Sequence, residues 1–248
     1  MNKLLEIKNL KVSFLKTGEQ IEIIKNVNFS VNENEIVAFI GDSGSGKSIT
    51  SLSILKLLDK NFTIEGSIIF EGEDILKKDE KEMLKIRGSK ISIIFQDAFS
   101  YLNPTMRVGH QILEAIKKDK SKEKVKKLLE DAKIKNPEIV YHQYPHELSG
   151  GQRQRILIAI AIASNPKIII ADEPITSLDI TLQIEILDLL KEIKNKYQTS
   201  IIYISHDMKS VNYMTDRIFY IENGKTKIKK NINTLLINNE KKYANVSF

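Results

Sequence analysis

Ile36-Val37-Ala38-Phe39-Ile40-Gly41-Asp42-Ser43-Gly44-Ser45-Gly46-Lys47-Ser48 is the stretch from which the fold is read. The apolar run Ile36 to Ile40 reads as a buried strand, and the apolar-periodic segment Leu52 to Leu58 reads as a following helix. The octet between them has the form G-x-x-x-x-G-K-[ST] in the strand-loop-helix context that this motif requires. Glycines let successive backbone N–H groups converge on phosphate oxygens, and the helix N-terminus adds a favourable dipole. A plain Gly/Ser-rich surface turn would have neither flank. Gly41, Asp42, Ser43, Gly44, Ser45, Gly46, Lys47, Ser48 and the adjoining Ile49 are therefore candidates for holding a nucleotide. Lys47 is suited to the β and γ phosphates, and the Ser48 hydroxyl to Mg²⁺.

A magnesium nucleotide needs a second anchor. Asp172 directly follows the apolar run Ile168 to Ala171, and the adjacent Glu173 is placed to polarise an attacking water. Gln96 follows the run Ile91 to Phe95, and His206 follows Ile201 to Ser205. In a parallel sheet these strand ends share the ligand-binding edge, so Gln96 and His206 are candidates for the γ-phosphate and its water, and Gln96 also for the metal. Each alone would read as a capping or hydrogen-bonding residue; together with the loop they read as chemistry.

Around this core the texture changes twice. LLEIKNLKVSF and IEIIKNVNFSV form a β-rich opening, Gly66 to Phe70 a further strand, and Lys77 to Arg87 a charged, helical stretch. From about Asp97 to about Ser164 the pattern is helical, with Val125, Leu128, Leu129 and Ala132 on one face, which predicts a helical subdomain inserted between strands. Arg217 to Ile221, Asn223-Gly224 and Lys225 to Ile228 predict a hairpin with a primed turn. The polar tail, residues 231–248, has no assigned fold.

Leu148-Ser149-Gly150-Gly151-Gln152 precedes a helix, and Ser149 with Gln152 has the form of a capping box. Helix-start N–H groups make a second anion site, which is redundant in a pocket already served by the first loop. It is better explained as serving a nucleotide held by another chain.

The 248 residues suit one large α/β unit or a core with a subdomain, and 42% hydrophobic with 28% charged residues excludes a mostly disordered chain. The absence of cysteine excludes disulfides, thiolate zinc, iron-sulfur ligation and Cys nucleophiles. MNKLLEIKNLKVSF is too charged for a signal peptide or anchor, so a cytoplasmic setting is expected. The net charge of +6 comes from Lys spread along the whole chain, which reads as solvated surface. Pro145 separates His142 from His146, so their spacing is read as local structure and not as a metal site.

These motifs, in this order, resemble the ATP-binding subunits of ABC transporters from about Leu4 to about Ile228. Gly41 to Ser48 matches Walker A, Gln96 the glutamine loop, Leu148 to Gln152 the LSGGQ signature and Asp172 with Glu173 Walker B. Ser177-Leu178-Asp179 matches the D-loop and His206 the switch histidine. The resemblance implies one α/β P-loop domain over residues 1–248, with a RecA-like core sheet, an N-terminal antiparallel β subdomain and an inserted α-helical subdomain at about 97–164. It implies ATP and Mg²⁺, and two ATPase subunits that pair head to tail, with Ser149, Gly150, Gly151, Gln152 and Asp179 facing the partner's nucleotide. Phe14 matches the aromatic that stacks on adenine, core packing being its other reading.

FQDAFSYLNPTMRVGHQI, at Phe95 to Ile112, and the run Tyr144 to Asp179 are similar to the D-type subunits of dipeptide, oligopeptide and nickel importers. This implies an F-type paralogue as second ATPase, two membrane-spanning permeases, an extracytoplasmic substrate-binding protein and a place on the cytoplasmic face of the membrane. No nucleic acid is expected. A soluble ABC ATPase acting on nucleic acid or ribosomes is the alternative, although the run between Gln96 and Leu148 is short for a long coiled coil. Ala98, Tyr101, Gln152, Ile175 and Ser177 stand where the family more often has Pro, Ser, Met, Thr and Ala. The family's longer, cysteine-bearing C-terminal extension has no match here, which leaves nickel or a nickel chelate open beside peptides.

Overall fold

The alternation of the opening becomes two long antiparallel strands in the computed structural model, which describes residues 3–176, 178–215 and 217–229. β1 (Lys3–Lys16) buries Leu5, Ile7, Leu10 and Val12, and β2 (Glu19–Asn32) buries Ile24, Val27, Phe29 and Val31. A register shift between Ile7 and Leu10, with Asn9 at φ 49°, lets both odd and even positions of β1 face the core.

Along the chain follow β3 (Ile36–Gly41), α1 (Lys47–Ile54), β4 (Phe62–Phe70), β5 (Glu73–Asp74), α2 (Glu80–Leu84) and β6 (Ile91–Ile94). Between β6 and β7 (Ile168–Asp172) come α3 (Ala98–Tyr101), α4 (Val108–Ala115), α5 (Lys122–Asp131), α6 (Pro137–His142) and α7 (Gly150–Ile162). The described chain ends with α8 (Ile180–Tyr197), β8 (Ser200–Ser205), α9 (Met208–Met214), β9 (Arg217–Glu222) and β10 (Lys225–Lys229). Ser177 and the tail, residues 231–248, lie outside the described residues.

The strands form one ten-stranded sheet in the order β5-β4-β1-β2-β10-β9-β3-β8-β7-β6. β9, β3, β8, β7 and β6 are mutually parallel, whereas β1, β2, β4 and β5 pair antiparallel. The apolar runs are explained by cover on both faces. Ile169 and Ala171 of β7 pack into a core shared with α4 to α8, while Ile168 and Ile170 face the other way, toward β1, β2 and α1. Because β3, β6, β7 and β8 run in one direction, their C-terminal ends bring Gly41, Gln96, Glu173 and His206 to one edge. Asn223 and Gly224, at φ 49° and 73°, make the β9–β10 turn with both central residues left-handed, as the primed turn requires.

Two helices differ from what the sequence pattern predicts, α1 lying earlier in the chain and α2 being shorter. α1 ends at Ile54 and not at Leu58, because Lys56 turns left-handed at φ 49° and the Leu57 N–H closes back on the Leu52 carbonyl at 2.9 Å. The Arg87 guanidinium holds that end by donating to the carbonyls of Leu55 and Lys56 at 2.7 and 2.9 Å. Within Lys77 to Arg87 only α2 is α-helical; it starts at a reciprocal capping box between Asp79 and Glu82 and ends at its C-cap, Lys85, whose N–H bonds the Glu82 carbonyl at 3.1 Å. Among the described residues no helix is long and apolar enough to cross a membrane.

Candidate functional site

The loop after β3 closes around its own lysine. Lys47 is 7% exposed, and its ammonium donates to the carbonyls of Gly41 at 2.8 Å and Asp42 at 3.0 Å. Among the described residues no carboxylate forms an ion pair with it, so a buried positive charge faces the loop with neutral partners alone. The Ser45 hydroxyl is buried with no hydrogen-bond partner. Two glycines are dictated by space: a Cβ on Gly41 would lie 2.3 Å from the Ile221 carbonyl oxygen, and Gly46, at φ 105°, would place one 2.1 Å from Ile24 Cδ1. These are the features of a polyanion cradle at a helix start.

A cavity of about 1030 Å³ opens over this loop. Gly41 to Gly44 and Gly46 to Ile49 line it from the loop, and Gln96, Glu173, Thr176 and His206 form a wall of it from the other strand ends. Glu173 is the junction of that wall. His206 Nδ1 lies 3.1 Å from Oε1, while Gln96 Nε2 and Thr176 Oγ1 reach Oε2 at 3.4 and 3.1 Å. Its backbone is left-handed, at φ 48°, and its N–H bonds the Ile204 carbonyl at 3.0 Å, which turns the side chain out of the sheet edge.

Asp172 sits one residue deeper and is 8% exposed, with Ser51 Oγ 3.5 Å from Oδ2. Burial lifts its carboxyl above the usual carboxylate range; the Ser48 hydroxyl and the Lys47 charge pull it down, and the Glu173 charge adds to the rise. A buried carboxylate beside a hydroxyl, without an ion-paired lysine or arginine of its own, is a donor set suited to a small hard cation. The residues present thus fit Mg²⁺ and a nucleotide polyphosphate.

The other candidates fall elsewhere. Phe14 does not line this cavity; its ring rests against Phe62, with centroids 4.8 Å apart. Ser149, Gly150, Gly151 and Gln152 form the start of α7 and are not among the residues that line this cavity. There Ser149 Oγ accepts the Gln152 N–H at 3.3 Å and Gln152 Oε1 accepts the Ser149 N–H at 3.0 Å, the expected capping box. A Cβ on Gly151 would touch Leu182 of α8 at 3.2 Å, and Asp179 caps α8 by accepting the Leu182 N–H at 3.0 Å, so the signature and Asp179 meet at Leu182. His142 and His146 lie on separate elements, packed on Tyr141 and Tyr144.

Thr176, Asp207, Ile23 and Tyr220 also line the cavity. Asp207 had a sequence signal: it precedes an apolar helix and caps α9, accepting the Lys209 and Ser210 N–H groups at 3.1 and 3.0 Å. Burial would raise its carboxyl, but these N–H groups hold it below the usual range. Ile23 and Tyr220 arrive from distant strands and had none.

A parallel sheet whose first buried strand feeds a Gly-rich cradle, with carboxylates at the end of a nearby strand, defines a P-loop nucleotide-binding protein of RecA-like type. The chain belongs to the ABC transporter family, whose sequence profile matches residues 24–176. It is 46% identical over 226 residues to the oligopeptide transport ATP-binding protein OppD of Bacillus subtilis (strain 168), covering 88% of this chain and 63% of that one. It is 42% identical to the dipeptide transport ATP-binding protein DppD of the same organism, covering 91% of this chain and 70% of the other. The dimeric post-hydrolysis structure of the ATP-binding cassette MJ0796, bound to ADP and Pi, superposes with a TM-score of 0.78 at 29% identity, covering 90% of this chain and 96% of that one.

Proposed function

We propose that this chain is the ATP-hydrolysing subunit of a peptide importer. The observation that carries the reading is that one carboxylate, Glu173, met by His206, Gln96 and Thr176, lines the same cavity as Lys47 and the phosphate cradle.

Lys47 and the N–H groups of Gly44 to Ser48 bind the β and γ phosphates. Ser48, Asp172 and Gln96 would hold Mg²⁺, which supplies neutralising charge to the phosphate oxygens when bound. Glu173 accepts a proton from the water whose oxygen attacks the γ-phosphorus, and the bond to the β-phosphate oxygen breaks as the new one forms. His206, whose side chain is 62% exposed and lies 3.1 Å from Glu173 Oε1, turns to the γ-phosphate when nucleotide is bound.

The exposed start of α7 is the complementary half. Its capping box leaves further helix-start N–H groups for an anion, and its place outside the lining of its own chain's cavity supports a head-to-tail pair in which Ser149 and Gly151 close over the partner's nucleotide. An F-type paralogue is the proposed second ATPase. Two permeases and an extracytoplasmic binding protein complete the assembly, with this chain on the cytoplasmic face. The names of the oligopeptide and dipeptide relatives support peptides over nickel as cargo. The helices between Gln96 and Leu148 are all short, which disfavours the long coiled coil of a soluble ABC ATPase acting on nucleic acid.

The test is uptake by the assembled transporter in vesicles, with oligopeptides, dipeptides and Ni²⁺ offered separately. ATP-dependent peptide accumulation is expected. Hydrolysis without movement of any peptide would overturn the importer reading.

A further inference from the structure

We propose that Thr176 is a positioning residue for Glu173, a role resting on the ATPase reading above. Glu173, Pro174, Ile175 and Thr176 form a turn in which the Thr176 N–H bonds the Glu173 carbonyl at 3.3 Å. Proline at its second position favours that turn, and Ile175, 5% exposed, pins it to the core. The chain thereby returns the Thr176 hydroxyl to Glu173, where it donates to Oε2 at 3.1 Å.

The other two contacts to this carboxylate have competing work. Gln96 and His206 come from other strand ends, are solvent-exposed, and face the place assigned to the γ-phosphate and its water. A side chain turned to phosphate or metal no longer holds the carboxylate. Thr176 lines the same cavity, but it is half-buried and sits on the same turn as Glu173, which ties its hydroxyl to the carboxylate. It is the donor that remains when nucleotide draws the others away, and it fixes Oε2 so that Oε1 is the oxygen free to take the proton. Asp172, the adjacent carboxylate, repels Glu173 and has no donor that could do this instead.

The experiment measures ATP turnover by the assembled transporter carrying Thr176→Val, Thr176→Ala or Thr176→Ser. Val and Ala both delete the hydroxyl, Val keeping the β-branch, and Ser retains the donor. Both deletions are expected to lower kcat roughly tenfold, the scale of one hydrogen bond to a charged group, with KM for ATP unchanged. Thr176→Ser should restore turnover. Wild-type kcat in the deletion variants would overturn the role, and so would a KM that rises in parallel or a serine variant that fails to rescue. Should the wild-type assembly itself not hydrolyse ATP, the functional reading falls and this role falls with it.

Discussion

The two glycine-rich loops of this chain solve different problems. Gly41 to Ser48 is closed: Lys47 is buried, its ammonium holds the loop's own carbonyls, and two of its glycines stand where no Cβ fits. Leu148 to Gln152 is open: Ser149 and Gly150 are exposed, and a Cβ on Gly150 would meet nothing within 4 Å. One loop is shaped by its own fold around a cavity, and the other is a self-capped helix start outside that cavity's lining. The difference teaches what the proposed head-to-tail pairing requires: the second loop would serve a partner's nucleotide and not its own.

Substitutions separate the halves. The largest effect is expected from Glu173→Gln, which should lower ATP hydrolysis roughly a hundredfold or more while leaving nucleotide binding by the chain intact, as read by single-turnover and binding assays. Loss of binding together with hydrolysis would move Glu173 from the chemistry to the cradle. Next, Gly150→Asp places a negative charge at the start of α7, where it suits the helix but not a phosphate. Thermal stability and nucleotide binding by the isolated chain should hold, while nucleotide-driven pairing weakens on the order of tenfold or more from charge opposition. Unchanged pairing in a sedimentation assay would break the comparison.

Smaller effects test how each loop is built. Gly46→Ala forces a side chain onto a left-handed residue against Ile24 and should cost about 1–3 kcal/mol in denaturant unfolding. Ser149→Ala removes only a cap and should cost about 1 kcal/mol. The smallest effect is a pH dependence at the cavity rim. Asp207 is held below its ordinary value by N–H groups, so its stabilisation is present above the unfolded carboxylate pKa and is lost as pH falls through the folded one. The stability gap between wild type and Asp207→Asn should therefore narrow on acidification below about pH 4. A gap that widens there would reverse the assignment.

Much of this was legible in residues alone because the signals are local. The Gly41 to Ser48 loop, the capping box at Ser149 and the carboxylates after Ile168 to Ala171 each sit within a few residues of the strand or helix that positions them. The left-handed pair Asn223-Gly224 belongs with them. What sequence hid depends on distant partners. The end of α1 is set by Arg87, more than thirty residues away, and the packing of Phe14 on Phe62 crosses from β1 to β4. Thr176 lay in plain view three residues after Glu173, but only the turn shows that its hydroxyl comes back to the carboxylate.

The most direct measurement is a structure of the assembled transporter carrying Glu173→Gln, with ATP and Mg²⁺ present. The account predicts that Ser149 of this chain hydrogen-bonds the γ-phosphate of the nucleotide gripped by its partner, while the nucleotide on Lys47 is covered by the partner's signature loop. Bound ATP on Lys47 with Ser149 far from every γ-phosphate would contradict it.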